Sequence, residues 1–149
     1  MQPVNNTLIQ YANDVIDYGI IGLLILLSII SLWIFIERMM FYKSLKLQDY
    51  TNKDQLELDL TNNISVVGAI ASNAPYVGLL GTVLGIMLTF YTLGDLGAVD
   101  AKKIMTGLAM ALKATAMGLL VAIPAIVFYT ILNRKIEKLL TKYDILNEQ

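Results

Sequence analysis

The chain has no cysteine and no histidine, which removes disulfide bridges, thiol nucleophiles, the usual zinc sites and any serine–histidine dyad. Most familiar enzyme chemistry goes with them, so the chain is expected not to be an enzyme. Charge is scarce too: 15% of residues are charged against 56% hydrophobic, and mean hydropathy is positive. That balance lies outside the range of a water-soluble monomer. The net charge of −1, from 11 basic and 12 acidic residues, offers no electrostatic attraction to nucleic acid. No metal site and no cofactor are expected. The informative feature is where the few charges sit.

Three stretches are free of charge or nearly so. Between Asp17 and Glu37 the polar side chains are Tyr18, Ser28 and Ser31, and residues 19–36 read as a first transmembrane helix, long enough for roughly 30 Å of hydrocarbon. The acidic residues before it, Asp14 and Asp17, are unlike the basic leader of a cleaved signal peptide. Residues 60–74 are uncharged but hold Thr61, Asn62, Asn63, Ser65, Ser72 and Asn73, too polar for lipid. The second span is therefore expected at 75–95, with Pro75 in the first turn, where a missing N–H has no intrahelical partner. Turn residues at 94–97 lead into a short loop, 96–103. The third span, 104–133, would be about 45 Å long and must tilt or protrude. Lys113 interrupts it and Pro124 should bend it.

The flanks complete an all-α integral membrane protein: three transmembrane helices with helical cytoplasmic extensions. In residues 1–18, Val4, Leu8, Ala12, Val15 and Ile16 recur at helical spacing, as in a short amphipathic helix on the outer surface. Residues 37–74 read as a helical loop with Leu47, Leu56, Leu58, Leu60, Ile64 and Val67 as apolar contacts. Residues 134–149 form a last helix, either separate or a simple prolongation of the third span. Lys and Arg number four in the loop after the first span (Arg38, Lys43, Lys46, Lys53), two between the second and third, and four after the third. This bias puts the N-terminus outside and the C-terminus in the cytoplasm.

Inside the spans, small residues dominate. Gly78, Gly81 and Gly85 on the second span are answered by Gly107, Ala111, Ala114 and Gly118 on the third, a pattern expected in helix packing and at the subunit interface, because it lets backbones approach where lipid is as apolar as leucine. Thr82 and Thr115 admit two readings: hydroxyls that line a polar path, or hydroxyls that bond their own helix carbonyl four residues back. Lys113 also admits two: a cation facing a partner or a water-filled interior, or one that snorkels to the outer interface. No Asp or Glu lies within a span away from its ends. A carboxylate for ion coupling would have to come from another chain. A self-sufficient transporter would show broken helices or an internal repeat, and neither is present in the pattern. A scaffold without ion coupling remains open.

APYVGLLGTVLGIMLTF (74–90) followed by GLAMALKATAMGLLVAIPAIVFY (107–129) resembles the paired signature of the ExbB/TolQ/MotA family, and IERMMFY (36–42) resembles its first-span exit. Three spans with an external N-terminus fit the ExbB and TolQ branches, the former preferred, since MotA has four. The resemblance implies an inner-membrane ring, commonly a pentamer, that encloses a dimeric single-span partner of the ExbD/TolR type. That partner would bring a transmembrane Asp. Protons would be the coupling ion, and a TonB-like transducer or the Tol system would receive the energy. By the same resemblance Thr82 and Thr115 are lining threonines, while Glu37, Pro75 and Pro124 occupy motif positions. Where relatives usually carry a Glu in the third span this chain has Met110, and Lys113 stands at a normally apolar position. The cytoplasmic loop is short for the family.

Overall fold

A computed structural model describes residues 2–94 and 100–148, with side chains described from residue 7 onward. Among the described residues the elements are four helices, α1 (Gln2–Ser44), α2 (Lys53–Leu60), α3 (Ile64–Gly94) and α4 (Ala101–Asn147), with a 3₁₀ turn, Leu47–Asp49, between α1 and α2. Three of them, α1, α3 and α4, are long and apolar enough to cross a membrane. Of the loop expected at 96–103, residues 96–99 lie outside the described set, while 101–103 are already the first turn of α4, so the third helix begins earlier than the expected 104.

The helices run further than the apolar stretches alone indicate. The separate surface helix expected at 1–18 is instead the beginning of α1, because nothing between Asp17 and Ile20 stops a helix and Gly19 is merely tolerated there. Likewise α3 begins at Ile64, so Pro75 is inside the helix and not in its first turn. The polar residues of 64–74 do not exclude that stretch from the helix. Ile64, Val67, Ile70, Ala71 and Ala74 are buried at three- and four-residue spacing, while Ser65, Ser72 and Asn73 are exposed. The stretch is an amphipathic extension of the span. At the other end, 134–147 continues α4 without a break, and Pro124 lies inside that helix. The carboxylate of Asp100 accepts the Lys102 N–H at 3.0 Å, an N-cap that starts α4.

The chain forms two compact units, residues 1–27 with 73–122 and residues 28–72 with 123–149. In the second, Ile34, Leu56, Leu60, Ile64, Val67, Leu132, Ile136 and Tyr143 form one buried cluster. Leu58, expected among the apolar contacts, is instead 67% exposed, since it lies two residues from both Leu56 and Leu60 and so on the opposite face of α2. Phe35 stacks on Phe128 with ring centroids 4.4 Å apart.

The short helix α2 depends on borrowed partners at its end. Eight residues make too short a helix to be stable alone, and its last carbonyls have no intrahelical donor. Arg38 donates to the Asp59 carbonyl at 2.9 Å, and the Tyr42 hydroxyl to the Leu60 carbonyl at 2.6 Å. The guanidinium also forks onto the Glu37 carboxylate, both bonds at 2.6 Å, and lies 4.5 Å over the Phe41 ring. Its charge is thus satisfied although Arg38 is buried, and a cation there suits the negative end of a helix dipole. At the start of α2 the Asn52 side chain accepts the Asp54 N–H. Beyond its end, Asn63 turns the chain with φ 65°, a left-handed conformation that Asn tolerates better than most residues. Tyr50 donates to the Asp59 carboxylate at 2.7 Å, and that bond, lost on ionisation, raises the phenol above its ordinary pKa.

Removing the buried donor should therefore cost more than removing exposed bulk. Tyr42→Phe is expected to lower stability by about 1–2 kcal/mol by orphaning a carbonyl, whereas Leu58→Ala should lie within about 0.5 kcal/mol of the parent. Unfolding of the detergent-solubilised chain measures both, and equal losses would contradict the assignment.

Candidate functional site: a hydroxyl pair in a small-residue seam

In the first unit α3 and α4 meet along a line of small residues. A Cβ placed on Gly78 would lie 2.6 Å from the Ala114 carbonyl oxygen and 3.0 Å from the Gly118 Cα, and one on Gly118 would lie 2.8 Å from the Ala74 carbonyl oxygen. Backbone faces backbone at this crossing. One turn on, a Cβ on Gly81 would meet the Ala114 Cβ at 2.7 Å and the Ile20 Cδ1 of α1 at 2.9 Å, and one on Gly85 the Ala111 Cβ at 2.9 Å. The seam continues to Gly107, where a Cβ would meet the Thr89 Cγ2 at 2.5 Å. Ala111 and Ala114 are 3% and 6% exposed. All the small residues singled out in the sequence thus meet within one chain.

The same close approach brings Thr82 and Thr115 together. Thr82 is buried. Its hydroxyl lies 2.9 Å from the Ala111 carbonyl and 3.3 Å from the Gly78 carbonyl of its own helix, and it shares a hydrogen bond with the Thr115 hydroxyl. A hydroxyl has one proton to give and two lone pairs. Donation to the Ala111 carbonyl leaves Thr82 free to accept from Thr115, the order that satisfies the carbonyl as well as the hydroxyls. The pair is therefore a polar bridge inside an apolar bundle. It bridges two helices, which the self-bonded reading of each threonine does not provide.

Lys113 is not part of this cluster. It is exposed, and two residues along a helix separate it from Thr115 by about 160°. It shares the outward side of α4 with Met110, one turn away and 48% exposed. Glu37 lies in the second unit, engaged by Arg38 at 2.6 Å, while Pro75 and Pro124 are within helices. Sequence reasoning singled out neither Arg38 nor Tyr42 for a role, although their i, i+4 spacing at the end of an apolar run places them on one face. Among the described residues no group of acidic, His or Cys side chains could hold a metal ion.

Three apolar helices, two of them in backbone contact around paired hydroxyls, define a polytopic membrane protein whose polar centre is uncharged. The profile of the MotA/TolQ/ExbB proton channel family matches residues 34–145, and the chain belongs to that family. It is 59% identical over 132 residues to the putative biopolymer transport protein ExbB-like 2 of Helicobacter pylori, covering 89% of this chain and 88% of that one. The biopolymer transport protein ExbB of Aquifex aeolicus is 52% identical over 134 residues, 89% of this chain and 90% of that one. The Tol-Pal system protein TolQ of Haemophilus influenzae is 38% identical over 84 residues, 56% of this chain and 37% of that one.

The contacts separate essential glycines from incidental ones. Gly78→Ala and Gly118→Ala press a methyl into backbone that cannot rotate away and should destabilise by about 1–3 kcal/mol. Gly22, where an added Cβ would have nothing within 4 Å, should accept Ala with a gain of up to about 1 kcal/mol from helix propensity. Thermal unfolding in detergent that ranks Gly22→Ala with the other two would refute the seam.

Proposed function

We propose that the chain is the ring-forming subunit of an inner-membrane motor of the ExbB kind, which harvests the proton-motive force to drive transport at the outer membrane. The observation that carries this reading is the Thr82–Thr115 pair bridging α3 and α4. Support also comes from what the spans lack: a proton must be held by a group that titrates, and the apolar spans have no carboxylate away from their ends. The acid is supplied by a dimeric single-span partner of the ExbD/TolR type, enclosed by a homo-oligomeric ring, with five copies favoured. A TonB-like transducer receives the work. The Lys and Arg bias sets the N-terminus in the periplasm and the C-terminus in the cytoplasm. The apolar surface left exposed by one chain, including Leu26, Ile29, Trp33, Leu120 and Ile123, suits lipid and neighbouring copies.

The mechanism follows from desolvation. A carboxylate facing apolar surroundings takes up a proton because burial penalises its charged form, and it releases the proton where hydroxyls or water solvate the anion. Partner movement between the two settings couples proton passage to motion. One proton crossing 100 mV supplies about 2.3 kcal/mol, enough to shift a conformational equilibrium well over tenfold. On the outward side of α4, one turn from the Met110 that replaces the usual Glu, Lys113 compensates electrostatically for that exchange by facing the partner's Asp or a water-filled interior.

A second reading is favoured by the Thr82 bond to the Ala111 carbonyl: the hydroxyls only lock two helices in a scaffold. The match to TolQ, over a smaller share of the chain, keeps a Tol-type envelope role as the alternative pathway. Thr82→Val with Thr115→Val separates motor from scaffold. A hydrogen bond to a charged group is worth about 1.5–3 kcal/mol, so coupled uptake in cells should fall roughly ten- to hundredfold while the ring still assembles. Normal uptake by the assembled double variant would leave the scaffold reading.

Lys113 gives a separate prediction. Lys113→Met should lower coupled uptake and Lys113→Arg should largely retain it, with assembly measured alongside. Unchanged uptake with Met at 113 would mean that the cation is idle.

A further inference from the structure

Within the second unit, the end of α1 and the last turns of α4 enclose a groove of about 260 Å³ lined by Tyr42, Lys43, Lys135, Lys138, Leu139 and Lys142. Four of the six lining residues are lysines, contributed by two helices, and no carboxylate lines the groove; Lys138 and Lys142 also border the neighbouring surface that holds Arg134 and Glu137. Three carboxylates near them in sequence are engaged elsewhere: Glu37 with Arg38, Glu137 with Arg134 and Asp144 with Lys53. None of the four lysines pairs with an acid among the described residues. Tyr42 gives its hydroxyl to the Leu60 carbonyl, so it offers the groove its ring, and Leu139 adds a second apolar wall. On α4, Lys135, Lys138 and Lys142 follow i, i+3, i+7 spacing and therefore share a face. Mere solubility would be served as well by lysines spread around the helix and interleaved with acids.

We propose that this groove binds the phosphate of an anionic phospholipid headgroup, which anchors α1 and α4 to each other and to the membrane surface. The proposal rests on the reading that the apolar runs cross the bilayer. The run in α4 ends at Leu132 and that in α1 at Ile36. Lys135 to Lys142 then lie roughly 5–15 Å past the hydrocarbon along α4, and Lys43 about 10 Å past it along α1. The headgroup layer adds about 5–8 Å on each side of the hydrocarbon. Lysine stems reach back along apolar surface while keeping the ammonium in the polar layer, so Lys43, Lys135 and Lys138 meet the phosphates and Lys142 adds its charge from the aqueous edge. The groove is too small for a folded partner but wide enough for a headgroup, and juxtamembrane basic clusters draw anionic lipid with a contribution from each residue.

The test uses the purified full chain in nanodiscs of phosphatidylcholine with and without phosphatidylglycerol, with no partner protein and no proton gradient. Native mass spectrometry counts retained phosphatidylglycerol, and a titration gives its affinity. The combined variant Lys135→Gln, Lys138→Gln, Lys142→Gln should bind phosphatidylglycerol at least about tenfold more weakly. The corresponding Arg variants should restore binding, and Lys102→Gln with Lys103→Gln, at the other end of α4, should leave it unchanged. Equal affinity in the triple Gln variant and the parent would overturn the proposal. So would an equal loss in the Lys102 and Lys103 control, which would mean diffuse charge. Inorganic phosphate that saturates the groove with no preference for phosphatidylglycerol would reassign it to free phosphate, and an acidic protein that displaces the lipid would reassign it to a protein partner. Thr82→Val with Thr115→Val should retain the lipid, so a failure of the motor reading shows in uptake and a failure of this one in lipid binding.

Discussion

Everything at the candidate site depends on how closely the backbones of α3 and α4 approach. At Gly78 and Gly118 there is no room for one added carbon on either helix, and the approach puts a buried threonine of one helix against a threonine of the other. In lipid there is no hydrophobic gain from bringing two apolar helices together. Packing, weak backbone contacts and interhelical hydrogen bonds must hold them. The seam uses all three, with the glycines permitting the contact and the threonines bridging it. Larger residues would separate the helices, and the hydroxyls would then fall back on carbonyls of their own helices.

This arrangement also accounts for the placement of charge. The centre of the first unit is polar without being ionised, which costs little because the Thr82 hydroxyl has partners. Ionised groups are kept to the helix ends and outward faces. Arg38 is the buried cation, and it is matched by a carboxylate, a helix-end carbonyl and an aromatic face together. Leaving any one of them unmatched would expose the desolvation penalty that such a group carries. The small helix α2 thereby gains the end caps that its own eight residues cannot supply.

Much of this was legible in the amino-acid order. The glycine and alanine spacing on the second and third spans named the seam, because small side chains at three- and four-residue intervals have a direct packing meaning. The two threonines were legible as candidates, but their mutual bond was not, since the relative rotation of two helices is set by contacts among many residues. Hydropathy alone places helix limits short, at Pro75 and near residue 18, because it reports what suits lipid, while a helix continues wherever one face finds a core. Lys113 stood out by its charge, yet its direction away from the threonines follows from helical geometry. The caps on α2 were hidden because they join a side chain to backbone carbonyls some twenty residues away, and a carbonyl carries no sequence signal.

The absence of native cysteine makes one measurement direct. With Cys at both 82 and 115 and no other thiol in the chain, mild oxidation in the membrane should form a bridge within a single polypeptide, because side chains in hydrogen-bond contact leave their Cβ atoms near the separation that a disulfide requires. The account predicts a monomer on a denaturing gel whose mass is lower by two hydrogens. Bridges formed only between polypeptides, or none under conditions that oxidise surface cysteine pairs, would contradict the seam and the hydroxyl pair within it.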